Sequence, residues 1–222
     1  MALKIRIIST GRQQVMKSKL ILSGAALIAF CVPPAFAQST SAPSGGTADA
    51  SKPATIQERK DNQQDRIAQG IGSGQLTPGE TKNLETKEAG LNKEERNMRS
   101  EDDGHLTAAD RDKLNNQQNH LSNQIYDDKH NDRTDNFKGE VGQRQENQQD
   151  RIAQGVKSGQ LTAGETSKLE TQQQGINREV KGMREENGGK LSQGDKALVN
   201  KQQNQASRNI YNKKHNGNTR AK

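Results

Sequence analysis

The side chains best suited to chemistry are carboxylates that recur at one place in four short segments. Glu80, Asp110, Glu165 and Asp195 each follow a hydroxyl residue by three positions, at Thr77, Thr107, Thr162 and Ser192. Each hydroxyl follows a leucine, at Leu76, Leu106, Leu161 and Leu191, and each leucine lies two residues after a glycine, at Gly74, Gly104, Gly159 and Gly189. A further apolar residue comes four places after each carboxylate, at Leu84, Leu114, Leu169 and Val199, so the shared pattern is G-x-L-[ST]-x-x-[ED]-x-x-x-[LV]. Two chemistries suit it. Glycine can end a helix by turning left-handed, and the hydroxyl can cap the next one by accepting from an unpaired backbone N–H. A carboxylate at the third helical position then favours the positive helix end, where Glu80 and Glu165 can also reach back to close a capping box. Pro78 falls at the first helical position, the one that suits proline. The same carboxylates are also hard oxygen donors of the kind a divalent cation takes.

Other reactive groups are few. His130 and His215 end matching segments, four residues after Tyr126 and Tyr211. They suit either a transition-metal site or a helix C-terminus, where Lys and His complement the negative end of the dipole. His105 and His120 have Lys190 and Gln205 in the equivalent places, so they cannot belong to a metal site common to both copies of the pattern. Paired carboxylates at Glu94 and Glu95 and at Asp102 and Asp103 sit in strongly polar surroundings, with nothing evident to shift their pKa values for acid–base work. The single cysteine, Cys31, lies in the N-terminal apolar run. No nucleophile–base–acid set and no phosphate loop after a strand appears, so the expected class is not an enzyme, with no catalytic residue.

The four segments resemble EF-hands, whose calcium loop has glycine at its sixth place, an apolar residue at its eighth and a carboxylate at its twelfth. Gly104, Leu106 and Asp110 fit those places, as do their three counterparts. The first place, normally aspartate, holds Gln69, Arg99, Gln154 or Arg184, and the third holds Ile71, Glu101, Val156 or Glu186. The resemblance therefore implies a calcium site only in the second segment, with Glu101, Asp103 and Asp110 as ligands and Asp102 nearby.

The elements that must position these groups are helices. The chain contains a tandem duplication with a register of 85 residues, Asn62 onto Asn147, which runs without a gap until Asn131 meets Asn216. Self-similarity at a fixed period points to one structural unit used repeatedly. Ile67 and Ile71, then Leu84, Leu91 and Met98, then Leu114, Leu121 and Ile125 recur at fours and sevens. The second copy repeats them with Ile152 and Val156, with Leu169, Ile176 and Met183, and with Val199, Ala206 and Ile210. Each stripe is about one residue wide, a seam between helices, so the helices must pack on each other or on another chain. The fold class is all-α: two tandem repeat units, 56–131 and 141–216, of three to four helices each, separated by a joint at 132–140. A tail follows at 217–222. If Gly90 and Gly175 break the middle helix, with Asn92 and Asn177 as the next caps, each unit has four short helices like a pair of EF-hands. If the glycine is tolerated, each has three.

The N-terminus carries its own message. Lys17 and Lys19 precede the apolar run Leu20–Val32, and Pro33 to Ala37 supplies a small-residue cleavage site, so 1–37 reads as a secretory signal. Residues 38–55 are rich in Ser, Thr, Ala, Gly and Pro and read as a flexible linker. Met16 is an alternative start that gives a signal of more usual length. The formal charge of +7 shrinks once the signal leaves with Lys4, Arg6, Arg12, Lys17 and Lys19, because 29 basic residues then face 27 acidic ones. The footprint of a nucleic-acid binder is thereby absent. With 27% hydrophobic residues and no tryptophan, a large core is out of reach. The leading expectation is a periplasmic or secreted, non-enzymatic helical repeat protein, structural or interacting with a protein partner or itself, without cofactor or transmembrane segment. A calcium-binding EF-hand-like protein and a hydrophilic stress-protective protein are the alternatives.

Overall fold

The computed structural model describes residues 54–134 and 139–220. The signal, Cys31, most of the linker and Phe137 in the joint lie outside the described residues. Among those described there are six helices and no strand: α1 (Ile56–Gly72), α2 (Pro78–Glu101), α3 (Ala108–Lys129), α4 (Gly139–Lys157), α5 (Ala163–Glu186) and α6 (Gln193–Lys214). None is long and apolar enough to cross a membrane.

The helix starts are set by reciprocal caps. At all four repeats of the motif the hydroxyl accepts from the third-position N–H and the carboxylate accepts from the cap's own N–H, so Asp110 and Asp195 close boxes as Glu80 and Glu165 do. A fifth box, Thr55 with Glu58, opens α1. Such a cap stabilises a helix by about 1 kcal/mol. Helix α1 ends as its glycine predicts, with Gly74 at φ 70° and its counterpart Gly159 at φ 74°.

Gly90 and Gly175 do not break the middle helix, so each unit has three helices. An interior glycine costs a helix about 1 kcal/mol. Burial of Leu84, Leu91 and Met98 along one uninterrupted face of α2 outweighs it.

Within each unit α2 packs on α3 and α1 on α3, and α5 and α4 do the same with α6. Between units, like packs on like, with α2 along α5 and α1 along α4. Lys82 and Ser167, the same place in the two copies, touch through a hydrogen bond from the Ser167 hydroxyl to the Lys82 carbonyl at 3.4 Å, marking an approximate local twofold axis. One apolar cluster spans the axis, joining Ile67, Leu84 and Ile125 to Ile152, Leu169 and Ile210. The narrow seams thus meet each other across the duplication.

Glutamines complete the interior. Gln63 donates to the Gln118 carbonyl and to the Ser122 hydroxyl, both at 2.7 Å, and Gln148 repeats this on Gln203 and Ser207 at the same distances. Gln118 and Gln203 in turn donate to the carbonyls of Ile56 and Val141 at the helix starts. These amides pin α1 to α3 and α4 to α6 where few apolar side chains are available, each bond contributing about 1 kcal/mol net.

Candidate functional site

The inward face of α2 carries Thr81, Leu84, Glu85, Glu88 and Leu91, at the spacing that lays residues along one helical stripe. Two carboxylates therefore enter the interior one turn apart. Glu85 lies where α2 meets α5 and is fully buried; its Oε2 accepts from Gln64 at 3.1 Å. Its counterpart Glu170 is equally buried and accepts from Gln149 at 3.0 Å. Burial pushes the Glu85 carboxyl up to about 8; the Gln64 bond and Arg220 oppose this, while Glu88 and Glu170 add to it.

Glu88 leads from that interior into a cleft. It is 1% exposed, its Oε2 has no hydrogen-bond partner among the described residues, and burial pushes it up to about 7 against the pull of Lys60 and Arg220. One turn of α1 away, buried Lys60 pairs with Glu95 at 2.8 Å. Glu95 also accepts two bonds from Arg99, at 3.0 and 2.8 Å. Burial works to raise the Glu95 carboxyl, but the bonds from Lys60 and Arg99 outweigh it and hold the group below its ordinary value.

A third wall comes from the segment beyond α6. Beyond α6, the Arg220 backbone N–H donates to the Gly159 carbonyl at 2.9 Å, which brings a cation of the second unit over the first. Its Nε lies 3.4 Å from Asp61, while Nη1 is buried without a hydrogen-bond partner among the described residues. With the start of α5, these elements enclose a cleft of about 480 Å³. A shallower cleft of about 660 Å³ straddles the local axis between α1 and α4, lined by equivalent residues such as Asp65 and Asp150.

The duplication provides an internal control for the charged cleft. Lys60, Glu88 and Glu95 have Gln145, Gln173 and Val180 as counterparts on the same backbone. In the second unit Gln173 donates to Gln148 at 3.0 Å, Gln145 donates to Asn177, and Val180 joins an apolar cluster with Ile176 and Val199. Neutral residues fill those places, so the charges of the first unit are no requirement of the fold.

The residues singled out for calcium lie apart from that cleft. Glu101 ends α2, Asp103 stands in the following turn at φ 49°, and Asp110 sits at the start of α3. The Asp110 carboxylate accepts from the Thr107 hydroxyl at 2.6 Å and from the Thr107 N–H at 3.0 Å, and these bonds hold its pKa below the ordinary value. Among the described residues no group of three or more His, Cys, Asp or Glu stands together as a metal-binding set. His130 and His215 stack on Tyr126 and Tyr211 at centroid distances of 4.1 and 4.2 Å, at the ends of α3 and α6.

Sequence reasoning assigned no site role to Lys60, Glu85, Glu88 or Arg220, and the expectation that nothing shifts Glu94 and Glu95 is incorrect: bonds from Lys113 and Gln117 lower the Glu94 pKa, and Glu95 is also lowered. For Lys60, Glu88 and Glu95 the available signal was the difference between the copies at inward-facing positions; Glu85, matched by Glu170, and Arg220, beyond the register, carried no such signal. Comparison of the chain with protein-family models, with curated proteins and with solved structures gave no match.

Proposed function

We propose that the protein is an exported, non-enzymatic helical module that acts by binding. The duplicated helices serve as its frame and the charged cleft of the first unit as its binding surface. Export rests on the N-terminal signal pattern. The packed interior supports a module that is folded on its own, rather than a chain that orders only on drying. Among the described residues no serine, cysteine or histidine lines the cleft, which favours recognition over catalysis.

One observation carries the reading: buried charge was kept, or introduced, in one copy where neutral residues suffice in the other. Buried ion pairs rarely stabilise more than a neutral replacement of similar volume, because desolvation offsets their attraction. Residues retained for function accordingly tend to be suboptimal for stability. The experiment is to give the first unit the side chains of the second, as the triple variant Lys60→Gln, Glu88→Gln, Glu95→Val. The melting temperature should stay level or rise by a few degrees. A fall of more than about 5 °C would show the charges to be structural and remove the basis for binding there.

A further inference from the structure

We infer that the first-unit cleft binds a small hydroxylated carboxylate, a sugar acid or hydroxy acid, whose carboxylate is received by Arg220 and Arg96 and whose hydroxyls meet Glu88 and the rim amides. This deepens the binding reading above and rests on it. The cleft volume of about 480 Å³ falls in the range of small-molecule sites.

The charge balance selects an anion. Glu95 is neutralised by Lys60 and Arg99, which leaves Arg220, Arg96 and the positive N-terminal end of α5 facing Glu88 and the half-exposed Asp61. Arg96 is exposed and enters no ion pair among the described residues. The buried, unpartnered Nη1 of Arg220 is one arm of a planar fork that matches a carboxylate.

The remaining wall selects hydroxyls. Among the described residues no aromatic and no large aliphatic side chain lines the cleft; Gln64, Asn92 and Thr219 do. Among the described residues, Glu88 Oε2 and Gln64 Oε1 are both buried without hydrogen-bond partners, and each can accept from a donor on a ligand.

Binding should also depend on pH. Lys60 and Asp61 face Glu88 from α1, Glu85 and Glu95 share its helix, Arg220 comes from the tail, and Glu170 on α5 acts through Glu85. Below neutrality Glu88 is protonated and meets a ligand hydroxyl without repelling the ligand's carboxylate; above it, its charge repels that carboxylate.

The test is isothermal titration of the full chain with D-glucuronate at pH 6, with D-glucose as the neutral analogue. Glucuronate should bind and glucose should not. Arg220→Gln and Arg96→Gln should each weaken binding about tenfold. Affinity should fall several-fold from pH 6 to pH 8 in the parent but not in Glu88→Gln. Absence of glucuronate binding at about 20 mM, equal binding of glucose, or parental affinity in both arginine variants would each overturn the assignment. Arg96 is exposed, so its variant stays informative even if the tail requires Arg220. The symmetrised triple variant is read without ligand, so failure here and failure of the broader binding reading are distinguishable.

Discussion

Gly70 and Gly155 show how much a single residue can decide. At the end of α1 the chain turns through Gly74, the Leu76 N–H donates to the Gly70 carbonyl at 3.0 Å, and the Leu76 side chain drops onto Gly70. A Cβ at Gly70 would stand 2.6 Å from Leu76, and one at Gly155 would stand 2.6 Å from Leu161. Gly90 and Gly175 are also helical but have open space there. Alanine removes the entropic penalty of a helical glycine, worth about 1 kcal/mol, so Gly90→Ala and Gly175→Ala should stabilise by up to that amount. Displacing a fully buried leucine costs about 1–3 kcal/mol, which outweighs the gain, so Gly70→Ala and Gly155→Ala should destabilise. Urea midpoints of the four variants check both signs. The cap residues were legible because a cap is local, three residues long and chemically distinctive. The role of Gly70 was not, since it depends on where Leu76 lands after the turn.

At the scale of the element, α2 carries a charge problem that reverses the usual response to acid. The Glu85 pKa rises to about 8 and that of Glu88 to about 7, from an ordinary 4.5, chiefly through burial. A carboxyl raised on folding binds its proton more tightly in the folded state, so its contribution is fully present below about pH 4.5 and is lost as pH rises through the folded value. Stability should therefore decline from pH 5 to pH 8 by several kcal/mol, where an ordinary salt-bridged carboxylate, ionised in both states over that range, would leave it level. Glu85→Gln keeps the shape and cannot ionise, so it should flatten much of that slope and melt higher than the parent at pH 8. Thermal melts at stepped pH decide this; a parent curve that stays level or rises from pH 5 to pH 8 would contradict the burial of these groups as acids. Hydropathy gave no hint of either carboxyl, nor of Gln63 and Gln148. Polar side chains in a helical stripe read as solvated until a second helix covers them.

At the scale of the molecule, the two copies share one core across the local axis, with Ile67 and Leu84 in the same cluster as Ile152 and Leu169. Equivalent surfaces facing each other are what a symmetric dimer presents, here joined in one chain. A unit separated from its partner would expose its share of that cluster. The full chain should therefore unfold in a single transition, with far-UV signal and tyrosine fluorescence coincident in urea. Two resolved steps would show that each copy owns its core.

The sequence by itself determined the helical class, four of the caps and the 85-residue register, because helical period and capping chemistry are encoded within a few residues. It also determined that the seams needed partners, since each stripe was too narrow to close a core. Only the tertiary structure decided that the partner is the other copy, that α2 runs on through Gly90, and that Lys60, Glu88, Glu95 and Arg220 surround one cleft. Burial and charge pairing are properties of surfaces brought together from distant parts of the chain. Arg220 stands 159 residues from Asp61, and no local pattern records that they meet.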